Sequence, residues 1–500
     1  MWKNNLKIAW RNLVKQRLYS SINLLGLTVG MTCFILITLY IQYELSYDTH
    51  HENADRIYRV YQQQKGNDFK GTDLYGVTPA PLARVMEETF PEIEVATNVR
   101  AKWDMLSYQD KVLSPRVLYV DEKIFDIFDI SILSGIGAEA LQNPNSILLS
   151  ESLAKKYFGE ESPLEKNLIF DNERPLTVKG IFKDVPKNQH LPFEYIVSFE
   201  NSKQFKRDEK EGKWDSNNYL TYVLLSEGTD YQLLESKFSV FDKLTKAAYK
   251  NLPFQPAYFL QSIKDIHLTS NINFDPSTAA DLRLLYLLTS IAFIVLLLAA
   301  INYTNLATTT SIKRSKEVGI RKVMGAQKIQ LITQLLSESF LLTSISFVLA
   351  LGLVYLLLPL FNNLIDQPIS FNIMGGRWLL IGMLSTALLI GVLSGLYPAF
   401  FLSTVSPAKA FKGNFLNNAG QGIGLRNILT IGQFTAAIVL TISSVVVYQQ
   451  LQYIQNKKLG FNREQILYVP FWFEEIDKNS EIIRNELRSH PNVKKSSKIN

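Results

Sequence analysis

An α-helical membrane protein with a large α+β extracytoplasmic domain inserted between its first and second transmembrane helices is what this 500-residue sequence predicts. Three observations carry the expectation. Five runs, at 22–43, 284–307, 340–360, 378–402 and 428–448, are apolar for roughly 20 residues or more, enough at about 1.5 Å per helical residue to cross a ~30 Å hydrocarbon core. None of them contains Asp, Glu, Lys or Arg; a charge at mid-bilayer costs about 2.5–3.5 kcal/mol, so their joint absence favours spanning helices over buried soluble ones. A long stretch of mixed helical and strand patterning separates the first two runs, and basic residues gather on one set of span flanks. A mean hydropathy near zero with 20% charged residues averages these two kinds of sequence.

In chain order, residues 1–20 come first. The stretch WKNNLKIAWRNLVKQRLYS places Leu6, Trp10, Leu13 and Leu18 near one helical face and lysines and arginines on the other. That is the pattern of an interfacial helix lying on the inner leaflet. The span at 21–43 is too long for a signal peptide and shows no small-residue cleavage pattern before Glu44. Cys33, the only cysteine, lies inside it, which leaves no intrachain disulfide. Lys3, Lys7, Arg11, Lys15 and Arg17 precede the span, while Glu44, Asp48, Glu52 and Asp55 open its far side, so the positive-inside rule places the N-terminus in the cytoplasm. The same rule puts Lys313, Arg314, Lys316, Arg321, Lys322 and Lys328 inside after the second span, and Lys409, Lys412 and Arg426 inside after the fourth. Residues 44–282 then lie outside as one domain. The formal charge of +6 is accounted for by cytoplasmic flanks, which removes the basis for a nucleic-acid partner.

Within 44–282, RIYRVYQQ (56–63), PLTVKGIFKDV (175–185) and YLTYVLLSE (219–227) are rich in β-branched and aromatic residues and predict strands. Helices are expected over 79–90, over 150–159 with Ser150 as N-cap and Gly159 as stop, and over 230–249. Signs of chemistry are few. His50 and His51 are adjacent and cannot easily converge on one metal, and His190 and His267 lack ligand spacing, so these histidines are expected at the surface or in turns. GTDLYGVT (71–78) has the glycine spacing of a phosphate loop, but Val77 stands where the lysine must be. With no GxSxG, HExxH or CxxC, neither a catalytic residue nor a metal or cofactor site is expected.

Residues 283–405 hold spans two to four with a cytoplasmic loop at 308–336; 406–427 form a cytoplasmic linker and 428–449 the fifth span. After it the sequence repeats the logic of the first: RIYRVYQ with the later MEETFPEIEVATNVR is echoed by EQILYVPF (464–471) with RNELRSHPNVKKSSKIN (484–500). Residues 450–500 are thus expected to begin a second outer domain, in a complete chain of roughly 800 residues and about eight spans.

The loop KRSKEVGIRKVMGAQ (313–327) is a cationic helix former between two apolar segments. Glu317 and Arg321 lie four apart, which favours a helix, and Gly325 offers a stop. It can serve as a topology-fixing flank, bind anionic lipid, or dock a cytoplasmic partner through an apolar edge of Val318, Ile320 and Val323. Here the residues carry a resemblance. AWRNLVKQRLYSSINLLGLTVG (9–30), YELSYDTHHENADRIYRVYQ (43–62), TPAPLARVMEETFPEIE (78–94), KEVGIRKVMGA (316–326) and SPAKAFKG (406–413), in this order, resemble the permease subunits of the MacB/FtsX class of ABC transporters, in the long duplicated form common in Bacteroidetes.

The resemblance implies a MacB-like periplasmic core at 44–282, made of a porter-like part and an inserted smaller lobe, and an FtsX-like permease domain at 283–405. It implies a multi-pass protein of the bacterial inner membrane, involved in efflux or extraction, that transmits ATP-driven motion of a separate cytoplasmic ATPase to the periplasmic domain. The docking element it implies is Glu317, Val318, Gly319, Ile320, Arg321, Lys322, Gly325 and Ala326. No ATP-binding domain precedes the interfacial helix, so the ATPase is expected on another chain; a second permease copy or a periplasmic adaptor are further partners. A secondary transporter is the first rival, disfavoured because the spans offer only Asn302, Asn305, Gln433 and hydroxyl residues for ion coupling. A membrane-anchored sensor or scaffold is the second, and it would need an output domain that the short cytoplasmic parts do not supply.

Overall fold

The chain begins with an amphipathic helix, α1 (Trp2–Lys15), and turns at Gln16 into α2 (Arg17–Leu45), which contains the first apolar run. The computed structural model describes residues 2–269, 271–276, 279–313, 315–370, 377–403, 420–457, 480–491 and 493. The motif at 406–413 and the strand expected at 464–471 lie outside the described residues. Two units are formed: Met1–Tyr43 with Leu282–Lys458, and Glu44–Asp281 with Leu459–Asn500.

The second unit follows α2 in the chain and is built on a sheet. Its strands are β1 (Ile57–Gln64), β2 (Leu74–Tyr75), β3 (Thr78–Pro79), β4 (Ile93–Trp103), β5 (Leu106–Tyr108), β6 (Lys111–Leu113), β7 (Arg116–Val120), β8 (Ile132–Gly135), β9 (Ser146–Ser150), β10 (Asn167–Phe170), β11 (Arg174–Phe182), β12 (Tyr195–Ser198), β13 (Asn217–Leu225) and β14 (Pro256–Ser262). Its helices are α3 (Leu82–Thr89), α4 (Ile124–Ile127), α5 (Glu151–Phe158), α6 (Lys203–Lys210), α7 (Tyr231–Ser236), α8 (Phe241–Ala248) and α9 (Ile263–Ile266). The strand order is β14-β1-β13-β4-β7-β12-β9-β11-β10-β5-β6. Strand β4 joins two lobes. Residues from Ile93 to Val99 pair with β13, and those from Arg100 to Trp103 pair with β7. One lobe buries Met86, Phe90, Val223, Phe238 and Phe241 under α3, α7 and α8; the other buries Leu149, Leu153, Tyr157, Phe170 and Tyr195 under α5.

Local signals hold in this unit. The Ser150 hydroxyl accepts from the Leu153 N–H, and Gly159 ends α5 at φ 65°, a conformation that a side chain would disfavour. The helix expected over 230–249 is interrupted: a 3₁₀ turn at Lys237–Val240 separates α7 from α8. There the Ser236 hydroxyl donates to the Leu233 carbonyl and competes with the helical ladder. His50, His51, His190 and His267 lie in turns and bends as expected, but of these only His50 is at the surface. His51, His190 and His267 are buried, because polar partners compensate the loss of water. His190 sits between Asp48, 2.9 Å from Nδ1, and the Tyr222 hydroxyl, 2.7 Å from Nε2. His267 meets Glu44 at 2.6 Å and stacks on Tyr47. His51 accepts from the Asp129 N–H at 3.2 Å. Arg59, fully buried on β1, is neutralised by Asp275 at 2.7 Å and donates to Gln261.

The remaining helices are α10 (Leu282–Lys313), α11 (Ser315–Val323), α12 (Lys328–Ile365), α13 (Arg377–Ser403), α14 (Gly420–Asn456) and α15 (Ser480–Ser489). Among the described residues five helices, α2, α10, α12, α13 and α14, are long and apolar enough to cross a membrane. Small residues let them approach closely. Gly26 and Gly30 of α2 face Asn302 and Ala299 of α10, where a β-carbon on Gly30 would come within 2.7 Å of Ala299. Gly391 and Gly395 of α13 lie as close to Thr343 and Ser339 of α12. The Tyr303 hydroxyl shares a hydrogen bond with Ser339, and Thr304 donates to the Ser394 carbonyl, which ties α10 to the same crossing. Asn305 donates to Thr430 and Gln433 of α14. At 38 residues α12 is about 57 Å long, so it exceeds the ~30 Å core by several turns.

Candidate functional site

The cationic loop forms a short helix, α11, held between the start of α12 and the end of α13. Glu317 accepts from the Arg321 guanidinium one turn later at 2.6 Å. The other arm of Arg321 donates to the side-chain amide oxygen of Gln334 on α12 at 2.7 Å. Lys322 donates to the Ser403 main-chain carbonyl at the end of α13 at 2.6 Å. Desolvation, then the neighbouring Lys328, lowers the Lys322 ammonium from its ordinary value. The charges thus act as braces. Arg321 and Lys322 fix α11 to two different long helices.

The apolar residues divide. Val318 points inward and is buried against Leu331 of α12 and Leu402 of α13, so it belongs to the brace and not to an exposed edge. Gly319 is buried beside it. Ile320 and Val323 remain exposed at 48% and 68%, and Met324, at 83%, extends their row. Met324 was missed from the sequence, although Ile320, Val323 and Met324 stand at i, i+3 and i+4, the spacing of one helical face. Gly325 closes α11 at φ 93°, and the Ala326 N–H donates back to the Arg321 carbonyl at 3.0 Å. Gln327 then opens α12 with a reciprocal cap to Gln330. The eight residues expected to act together therefore divide: Val318, Arg321 and Lys322 anchor, Gly319 is buried beside them, Glu317 holds Arg321, Gly325 and Ala326 close the helix, and Ile320 is exposed in a row with Val323 and Met324. Gln334, Leu331, Leu402 and Ser403, the anchoring partners, lie too far along the chain for a local motif to reveal.

The first helix rests against the same part of α12. Ala9 is buried, Leu13 packs on the helical core, and Asn12 donates to Glu338 at 2.6 Å. The apolar residues grouped on one face by the sequence reading are split, with Leu13 turned to the bundle and Trp10 and Leu18 outward, because α12 occupies one side. Among the described residues no cluster of three or more His, Cys, Asp or Glu side chains could hold a metal ion.

Two family models match the chain: the MacB-like periplasmic core domain over residues 20–239, and the FtsX-like permease C-terminal domain over residues 289–407. The ABC transporter permease YvrN of Bacillus subtilis (strain 168) is 22% identical over 423 residues, which cover 82% of this chain and 99% of the relative. The macrolide export ATP-binding/permease protein MacB of Neisseria meningitidis serogroup A is 24% identical over 319 residues, 63% of this chain and 46% of that protein. The chain therefore spans under half the length of this second relative. The crystal structure of the periplasmic region of MacB from Actinobacillus actinomycetemcomitans aligns at 16% identity with a TM-score of 0.31, over 43% of this chain and 91% of that one.

Proposed function

The chain belongs to the ABC transporter permeases of the MacB/FtsX class, and from that premise we propose that it couples ATP hydrolysis by a separate subunit to a conformational change of its extracytoplasmic domain. It is a multi-pass membrane protein with such a domain, and its family pairs with a cytoplasmic ATPase. The finer reading places the N-terminus and α11 in the cytoplasm, the sheet unit outside, and the ATPase against α11. The exposed row of Ile320, Val323 and Met324 on a helix braced at both α12 and α13 is the observation that carries it. An ATPase gripping that row would apply its displacement to two spans at once, since interdigitated helices transmit rigid-body shifts and do not absorb them. The spans α2 and α10 are continuous in sequence with the two ends of the sheet unit, so the displacement has a covalent route outward. Chemistry at ATP belongs to the partner. The extracytoplasmic unit works on the exported or extracted substrate.

Co-expression with an ABC ATPase subunit from the same genome, sought first in the adjacent reading frame, is expected to yield a detergent-stable complex. The Glu317→Ala/Arg321→Ala double variant, which removes the ion pair and the tie to Gln334, should weaken that complex while membrane insertion is unchanged. A complex of wild-type stability would sink the docking role.

A further inference from the structure

The outward face of α1 carries two parallel rows. Lys7, Arg11 and Lys15 recur at every fourth residue and are exposed; Trp10 and Val14, exposed at 55% and 48%, form the apolar ridge beside them. Leu18 continues the ridge at the start of α2. The first 43 residues contain no Asp or Glu, so no carboxylate on this segment neutralises the basic row. A cationic row flanking an apolar ridge matches the headgroup boundary of an acidic phospholipid surface, where phosphate meets ammonium and guanidinium and the ridge enters the acyl region. The inward face leads elsewhere. Asn12 donates to Glu338, and four residues earlier on the same face of α12 Gln334 accepts from Arg321 of α11.

We propose that acidic phospholipid is a ligand of α1 and that its binding is relayed through Asn12, Glu338, Gln334 and Arg321 to the orientation of α11. The relay is short because Glu338 and Gln334 share one face of a single rigid helix. Lipid that seats α1 holds Asn12 on Glu338, and the same turn of α12 holds Arg321. The permease is thereby primed for its motor only in a membrane rich in anionic lipid. The output of this relay rests on the reading of α11 as a docking helix, while the lipid site and the relay themselves do not.

The test is amide hydrogen exchange of the full chain in nanodiscs of phosphatidylglycerol mixed with phosphatidylcholine, against nanodiscs of phosphatidylcholine alone, without any ATPase. Exchange over Trp2–Lys15 and over Ser315–Val323 should both slow in the acidic lipid. The Lys7→Gln/Arg11→Gln/Lys15→Gln variant should lose the effect at both sites, since about one kcal/mol per cation at an anionic surface amounts to a loss on the order of a hundredfold in affinity for three. High salt should reproduce that loss on the unmodified chain, which keeps the test sound if the triple variant misfolds. Asn12→Ala should leave protection of α1 intact and abolish the response of α11. Equal exchange in the two lipids, or an α11 response that survives the triple variant or Asn12→Ala, overturns the proposal. Both lipid responses preserved, with the Glu317→Ala/Arg321→Ala variant holding the ATPase as firmly as wild type, would instead count against the docking reading alone.

Discussion

Truncating the exposed row of α11 by Val323→Ala/Met324→Ala should weaken association with the ATPase without unfolding the permease. The two side chains are 68% and 83% exposed. Fully burying a Val or Met side chain is worth about 1.5–3 kcal/mol, so scaling by these exposures assigns about 2–4 kcal/mol to the pair if the partner covers it completely. Alanine retains a β-carbon, which reduces the expected loss to about 2–3 kcal/mol, or roughly 30- to 150-fold in Kd. Binding of the purified ATPase to the permease in nanodiscs, titrated by fluorescence anisotropy, measures this directly. Thermal unfolding of the free variant should stay within about 0.5 kcal/mol of wild type, as expected for surface positions. Val318→Ala is the counterpart, because it opens a gap against Leu331 and Leu402, should cost about 1–3 kcal/mol of packing, and leaves the exposed row intact. Wild-type affinity for the Val323/Met324 variant, with the Val318 variant alone impaired, would refute the division of α11 into anchoring and presented layers.

Acidification should destabilise the sheet unit through His51. Burial first, and then the charge of the adjacent His50, hold its imidazole down from 6.5 to about 4. The Asp129 N–H donating to Nδ1 also requires that nitrogen to be unprotonated. Below pH 6.5 the unfolded chain therefore binds a proton that the folded chain does not, so the contribution is complete above pH 6.5 and lost as pH falls toward 4, by about 3 kcal/mol at most. Melting curves of wild type and His51→Gln should differ by a gap that narrows over that window; a gap constant from pH 7 to 4 contradicts the assignment. At the crossing of α12 and α13, Gly391→Ala/Gly395→Ala should lower the melting temperature by the equivalent of about 1–3 kcal/mol, because each new β-carbon meets Thr343 or Ser339. Gly382→Ala, with nothing within 4 Å, is the control and should be neutral or stabilising; equal effects at the two places would exclude close packing as the cause.

Much of this architecture is legible locally. Spanning segments declare themselves by length and lack of charge, so each of the five apolar runs lies within a long helix of the structure. Ser150 and Gly159 bound α5 because a cap and a left-handed stop act within one turn. The pair Glu317 and Arg321 could be read as helical for the same reason.

What tertiary structure decided depends on residues distant in the chain. Val318 and Val323 have the same side chain on one short helix, yet one is buried and the other exposed because Leu331 and Leu402 close over only one side. Three histidines expected at the surface or in turns are interior, and Asp48, Tyr222 and Glu44, up to 223 residues away, meet ring nitrogens of His190 and His267. Asn12 gained its partner from a position 326 residues further on. By itself the sequence determined the long apolar helices, the strands richest in β-branched and aromatic residues and the locally capped α5, since those preferences are set by neighbouring residues. Which faces of those segments are buried and which stay exposed was decided only by the packing, because burial is a property of what arrives from elsewhere in the fold.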